Sequence, residues 1–201
     1  MTGPTADPAA DPAVDPLAFR RSRHRVRWLA AGVLAVLVVV AVVAATRPSY
    51  QATQVGSPLL GRMAPNFSGR DFQGHVVTLS SYRGHYVYLN FFASWCPPCQ
   101  AEEPNLVSFD SEQHRVHSGV ALVSVVFNDS DAAAEQFVST SGQSWPAVPD
   151  HNGAIANAYG VESPPMTFLI DPKGVIVGVW AGPVKATQLD AMLAQDRRSN
   201  G

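Results

Sequence analysis

The sequence predicts an α/β fold: a central mixed sheet with helices on both faces. Three observations carry it. Two apolar runs, Tyr86 to Phe92 and Gly119 to Phe127, have the length and the β-branched or aromatic content of buried strands. The first leads straight into Trp95-Cys96-Pro97-Pro98-Cys99 and then into helix-compatible sequence. Strand and helix patterns then alternate along the rest of the chain, in the order ββ-β-α-β-α-α-β-β-α.

The chain has 201 residues, about one domain plus appendages, and 46% are hydrophobic, enough for an ordinary core. Its net charge of −2 gives no reason to expect a nucleic-acid partner. Residues 1–27 read as a disordered tail: a near-repeat of Ala-Asp-Pro without apolar periodicity, then a cluster of arginines (Arg20, Arg21, Arg23, Arg25, Arg27). Residues 28–45 are uncharged for 18 positions, at the short end of what spans a bilayer. With five arginines on one flank, this segment is expected to be a single-pass anchor. The N-terminus would lie in the cytoplasm and the remaining chain outside the membrane. The alternative is a cleaved signal h-region, with Val43-Ala44-Ala45 as small residues near a cleavage point. Residues 46–60 read as a polar linker.

The globular domain is expected over 61–195. Gly69 to Leu79 holds two short β patterns around Gln73-Gly74, which predicts a hairpin extension. After strand Tyr86–Phe92, a helix is predicted from Pro97 to about His114. Pro97 and Pro98 stand in its first turn, where the missing N–H groups cost little, and Pro104 is expected to kink it. Gly119–Phe127 is the next strand. Asp129 or Asp131 can cap a helix through about Thr140. Gln143 to Asp150 reads as a connection, and Gly153 to Tyr159 as a short helix. Strands over Thr167–Ile170 and Val175–Trp180 flank the turn Asp171-Pro172-Lys173-Gly174. Ala186–Gln195 closes the domain as a helix, leaving residues 196–201 as a tail.

Cys96 and Cys99 are the only cysteines. Between a strand and a helix, the first of them falls at a helix N-terminus, where free N–H groups and the macrodipole favour an anion. The thiolate is the nucleophile of disulfide exchange, so this position raises the reactive fraction. The second, one turn on, is suited to resolve a mixed disulfide. A structural bridge here would close too short a loop to stabilise much. A zinc site would need a second pair of ligands at finger spacing, which is missing. His114 and His117, three apart near a helix end, read as structural or solvated.

These residues and several others resemble the thioredoxin fold and, within it, the membrane-anchored TlpA/ResA/CcmG (DsbE) group. The resemblance runs from about Gly61 to Leu193. It rests on Ala64-Pro65-Asn66-Phe67, Leu89 to Cys99, Glu102, Pro104, Tyr159-Gly160-Val161, Pro165 to Asp171 and Gly174. It implies an extracytoplasmic thiol–disulfide oxidoreductase that reduces disulfides in exported proteins such as apocytochrome c during cytochrome c maturation. A membrane electron donor would re-reduce it, and no cofactor is needed. It makes Cys96 the attacking and Cys99 the resolving thiol. Pro165 becomes a cis-proline facing them, with Trp95 and Pro97 on the substrate-binding rim. Pro164 departs mildly from the pattern by removing a backbone donor. Asn90 takes the place of the buried aspartate of cytoplasmic thioredoxin. Glu102 matches an acidic residue near the disulfide, where a carboxylate would raise thiol pKa values and carry a proton. The plainer reading of Glu102 is a surface glutamate like Glu103. Three other functions share the fold. General disulfide exchange needs no further signal. A peroxiredoxin-like peroxidase would want Thr at position 93, which is Ala93. A copper-delivery module of the Sco type would want CxxxC.

Overall fold

The computed structural model describes residues 16–45 and 51–200. The predicted tail up to residue 15, linker residues 46–50 and Gly201 lie outside the described residues. The chain divides into two compact units, one ending at Ser49 and one starting at Tyr50.

The first unit is the helix α1, Pro16–Ala45. This corrects the expectation of a disordered tail through residue 27: the arginine cluster is helical. Pro16 takes the first helical position, which its fixed φ suits, and no glycine or proline follows before Gly32. Along α1, Arg27 to Val43 are exposed. Among the described residues, no helix is long and apolar enough to cross a membrane. The uncharged run ends on Ala44 and Ala45, whose side chains lie outside the described set.

The second unit is built on a six-stranded mixed sheet. Its strands are β1 (Thr53–Gln54), β4 (Tyr86–Phe92), β5 (Val120–Val126), β6 (Ala147–Pro149), β7 (Met166–Ile170) and β8 (Ile176–Ala181), in the order β1-β8-β7-β4-β5-β6. β4 pairs parallel with β5 and antiparallel with β7, so the strand that leads into the cysteines lies inside the sheet. The predicted hairpin is present as β2 (Ser68–Arg70) and β3 (Val76–Thr78), turning at Gly74 with φ 83°. A Cβ on Gly69 would meet Val148 Cγ1 at 2.4 Å, so the hairpin lies close against the β6 edge.

Side-chain alternation along β4 assigns the two faces. Val87, Leu89 and Phe91 join a cluster with the hairpin and α4 (Ala154–Tyr159). There Phe91, Tyr159 and Phe168 meet with ring centroids 5.0 to 5.7 Å apart. Tyr88 faces the other way, into a cluster with α2 (Pro97–Arg115) and α5 (Ala186–Asn200). It stacks edge-on against Phe109 at 5.2 Å and donates its hydroxyl to Leu189 O at 2.6 Å. Phe92, at the end of the same face, packs with both cysteines and with Ala134 and Val138 of α3 (Asp131–Ser141). Burying aromatic side chains of this size contributes about 1.5–3 kcal/mol each.

Four expectations change. The polar linker 46–60 is not a tether over its described part. Thr53 and Gln54 pair with Ala181 and Trp180, and Val55 and Leu59 pack on the core. Two apolar side chains and a few backbone bonds suffice to hold a strand at a sheet edge. The connection before Asp150 contains β6. The cap of α3 is Ser130, whose hydroxyl accepts the Ala133 N–H, rather than Asp129 or Asp131. α5 continues to Asn200, past the expected end at Gln195, because nothing in Gln195 to Asn200 breaks a helix. α2 runs as one element through Pro104, which leaves the Gln100 carbonyl without its helical donor.

Candidate active site

Cys96 is the N-cap of α2, extended at φ −90° and ψ 107°, and its Sγ accepts the Cys99 N–H at 3.2 Å. Pro97 and Pro98 fill the first helical positions, where their missing N–H groups leave the free donors to Cys99 and its successors. The two cysteines form a disulfide with Cα atoms 5.3 Å apart. When it is reduced, Cys96 Sγ sits at the positive end of the helix with a backbone donor already aimed at it.

Exposure does not distinguish the two cysteines. Cys96 is 3% exposed and Cys99 2%. Cys96 lies under the surface loop rather than on it, beside Trp95, which is 54% exposed, and exposed Pro97. What separates the two is their surroundings. Cys96 Sγ lies 3.8 Å from the carbonyl oxygen of Pro164, on the loop opposite. The Pro164–Pro165 peptide bond is cis. Pro165 O accepts the Gly182 N–H at 2.9 Å, and the next residues pair with β4 as Met166↔Phe91 and Thr167↔Asn90. The cis-proline loop is thus fixed to the sheet beside the cysteine loop.

One turn along α2 from Cys99, Glu102 is 1% exposed. Its Oε1 accepts the Val184 N–H at 3.0 Å and its Oε2 the Asn90 amide at 3.4 Å. Asn90 also donates to Thr167 Oγ1 at 3.1 Å. Asn90 therefore brings no acid of its own; it ties Glu102 to β4 and β7. Burial pushes the Glu102 carboxyl up to about 8, against the two hydrogen bonds that favour its ionised form. The plainer reading of this pair as surface glutamates is overturned for both. Glu103 is 5% exposed, accepts the Ser141 hydroxyl at 3.1 Å, and is pushed up to about 7, again chiefly by burial.

A second network, unseen in the sequence, clamps the loop before Cys96. Asp129 Oδ2 accepts the Ser94 N–H at 2.6 Å, and Asp129 Oδ1 accepts that of Ser130. Gln100 donates to Ser94 O at 2.6 Å, and the Trp95 indole donates to Asn128 O at 3.0 Å, with Asn128 at φ 44°. Asp129 reads in the sequence only as one of two capping candidates; what marks its role is the placement of the β5 end beside the cysteine loop. Asp129→Ala takes the acceptor from the part-buried Ser94 N–H and returns the exposed Ser130 N–H to water. It is expected to destabilise the oxidised protein by about 1–3 kcal/mol, and Asp129→Asn by less. Urea unfolding measures both, and an unchanged midpoint in the Ala variant contradicts the clamp.

The histidines lie apart from this site. His114 stands 3.5 Å from Asp110 on its own helix, and His117 follows α2 at φ 50°. Among the described residues, no three His, Cys, Asp or Glu side chains form a group able to hold a metal ion.

Comparison with known proteins agrees with this geometry. The profile of the AhpC/TSA family matches residues 60–179, more than half of the chain. The chain belongs to the AhpC/TSA family. Its thioredoxin-like domain resembles curated relatives named thiol-disulfide oxidoreductase ResA. The one from Bacillus subtilis is 35% identical over 129 residues, covering 64% of this chain and 71% of the relative. Among solved structures, one described as the thiol:disulfide interchange protein DsbE from Chlorobium tepidum is 29% identical with a TM-score of 0.60. That match covers 71% of this chain and 98% of the other. StoA from Bacillus subtilis is 28% identical with a TM-score of 0.56, covering 65% and 97%. This AhpC/TSA member is a thiol–disulfide oxidoreductase of the ResA/DsbE type.

Proposed function

We propose that the chain reduces disulfides of exported proteins on the outer side of the cytoplasmic membrane, apocytochrome c being the substrate its resemblance favours. The observation that carries the reading is a CxxC pair at the head of α2, facing the Pro164–Pro165 loop, with a buried carboxyl one turn further along the same helix. In this reading the Cys96 thiolate attacks a substrate disulfide. A mixed disulfide forms and one substrate sulfur leaves as a thiolate. Cys99 loses its proton to Glu102 and attacks Cys96. The Cys96–Cys99 bond forms, and the second substrate sulfur leaves with the electron pair. Two electrons pass to the substrate, and a membrane thiol donor returns them. Trp95, Pro97 and Pro165 border the place where the substrate strand lies, and no cofactor enters.

The location rests on the five arginines before the uncharged run in α1, which favour a cytoplasmic N-terminus. Cells carrying Cys99→Ala test both parts. The expected result is a membrane-bound, externally protease-sensitive chain, cross-linked through Cys96 to an exported protein. Capture of cytoplasmic proteins alone overturns the proposed substrate class. A chain protected from external protease overturns the topology, and release into the medium overturns the anchor.

A further inference from the structure

α2 carries two adjacent buried carboxyls, and the mechanism above uses one. Successive helix residues point about 100° apart, and the two make contacts with different elements. Glu102 reaches Asn90 on β4 and the Val184 amide before α5, while Glu103 reaches Ser141, the last residue of α3. The groups facing the pair are Cys99 on α2, Asn90 on β4 with Thr167 of β7 behind it, the Val184 N–H, and Ser141 on α3. None is a cation, and among the described residues neither carboxyl has an ion-pair partner. Two buried carboxyls on adjacent residues, with no cation beside either, resist ionising together even though they face different elements.

We infer that Glu103, held by Ser141, is a positioning residue that acts on the reaction through Glu102, its charge keeping Glu102 basic enough to take the proton of Cys99. The inference rests on the proposed role of Glu102 as proton acceptor. An ordinary carboxylate is a poor base for a thiol, whose pKa in water is about 8.5. Transfer is efficient when the two proton affinities match. Burial supplies most of that match, and the negative charge of Glu103 adds a smaller amount in the same direction. Glu103 ionises first because it is the less deeply buried and the Ser141 hydroxyl donates to its anion. In the step itself, the Cys99 proton passes to the Glu102 carboxylate and the Cys99–Cys96 bond forms. The bond from Cys96 to the substrate sulfur breaks, and that sulfur leaves as a thiolate. Glu103 exchanges no proton.

The full chain, reduced and mixed with a chromogenic aromatic disulfide, releases one aromatic thiolate as the mixed disulfide forms and a second as Cys99 resolves it. The rate of the second release against pH reads the step. Glu103→Gln is expected to move its acid limb down by about one pH unit and to slow the plateau severalfold. The first release should stay within twofold. Glu103→Asp should restore the wild-type limb, and Ser141→Ala should move it down by a smaller amount. In a Glu102→Gln background, Glu103→Gln should change nothing further. A wild-type limb in Glu103→Gln, or a shift that persists without Glu102, overturns the inference. Should Glu103→Gln fail to fold, an unmoved limb in Ser141→Ala overturns it. If Glu102→Gln itself leaves the limb in place, the acceptor role of Glu102 falls and this inference with it. If only Glu103→Gln is silent, this inference falls alone.

Discussion

Cys96→Ser is expected to bring disulfide exchange down to the uncatalysed background, while Cys99→Ala keeps the first step and accumulates mixed disulfide. The asymmetry follows from position rather than exposure, since both sulfurs are nearly inaccessible in the oxidised protein. Cys96 Sγ takes the Cys99 N–H at the head of α2 and stands opposite the Pro164 carbonyl. A thiolate there is stabilised by the helix terminus, and an incoming sulfur has a defined place to bind. Cys99 lies inside the first turn with its own N–H already committed. In the reduced chain, Cys96 should therefore be alkylated well before Cys99, as peptide mapping of partly labelled protein would read. Faster labelling of Cys99, or exchange that survives Cys96→Ser, reverses the assignment of the two roles.

The strands beside this site were legible because burial on both faces leaves a continuous apolar signature, and β4 and β5 begin and end within a residue of where that signature does. The start of α2 was legible because two prolines after a cysteine allow little else. Short elements were not. β1 has two residues and β6 three, too few for any period to show, and both are held by the sheet rather than by their own preference. The sequence expectation names Asp129 or Asp131 as the cap and passes over Ser130 between them, which can cap equally well. The structure spends Ser130 on the cap and Asp129 on the loop of Ser94. Glu102 and Glu103 show the limit most clearly. Helical periodicity lets one of two neighbours face a core, and the other is then expected in solvent. Both are buried because α2 is covered on more than one side, by the sheet and the Val184 segment at Glu102 and by α3 at Glu103. That enclosure is tertiary, and no local pattern in Gln100 to Pro104 announces it.

The same enclosure makes the oxidised protein more stable at pH 5.5 than at pH 8.5. In the unfolded chain both carboxyls ionise near 4.5, whereas in the fold burial holds Glu102 up to about 8 and Glu103 up to about 7. Between those values the folded state binds more protons than the unfolded one, so stability falls as pH rises. The loss starts above about 4.5 and is complete once pH has passed the folded value of Glu102. Each pH unit spent between unfolded and folded values corresponds to about 1.4 kcal/mol, so between pH 5.5 and pH 8.5 the two carboxyls together cost on the order of 5 kcal/mol. The disulfide keeps the thiols from titrating and leaves these two acids, among the described residues, as the groups with large displacements in the range. Urea midpoints of the oxidised full chain at the two pH values measure the difference. Glu102→Gln removes the larger contribution and should raise stability at pH 8.5 relative to wild type while flattening the dependence. An equal or higher midpoint at pH 8.5 in the wild-type chain would mean that the two carboxyls ionise as freely in the fold as in water, and would remove the basis for a matched proton acceptor behind Cys99.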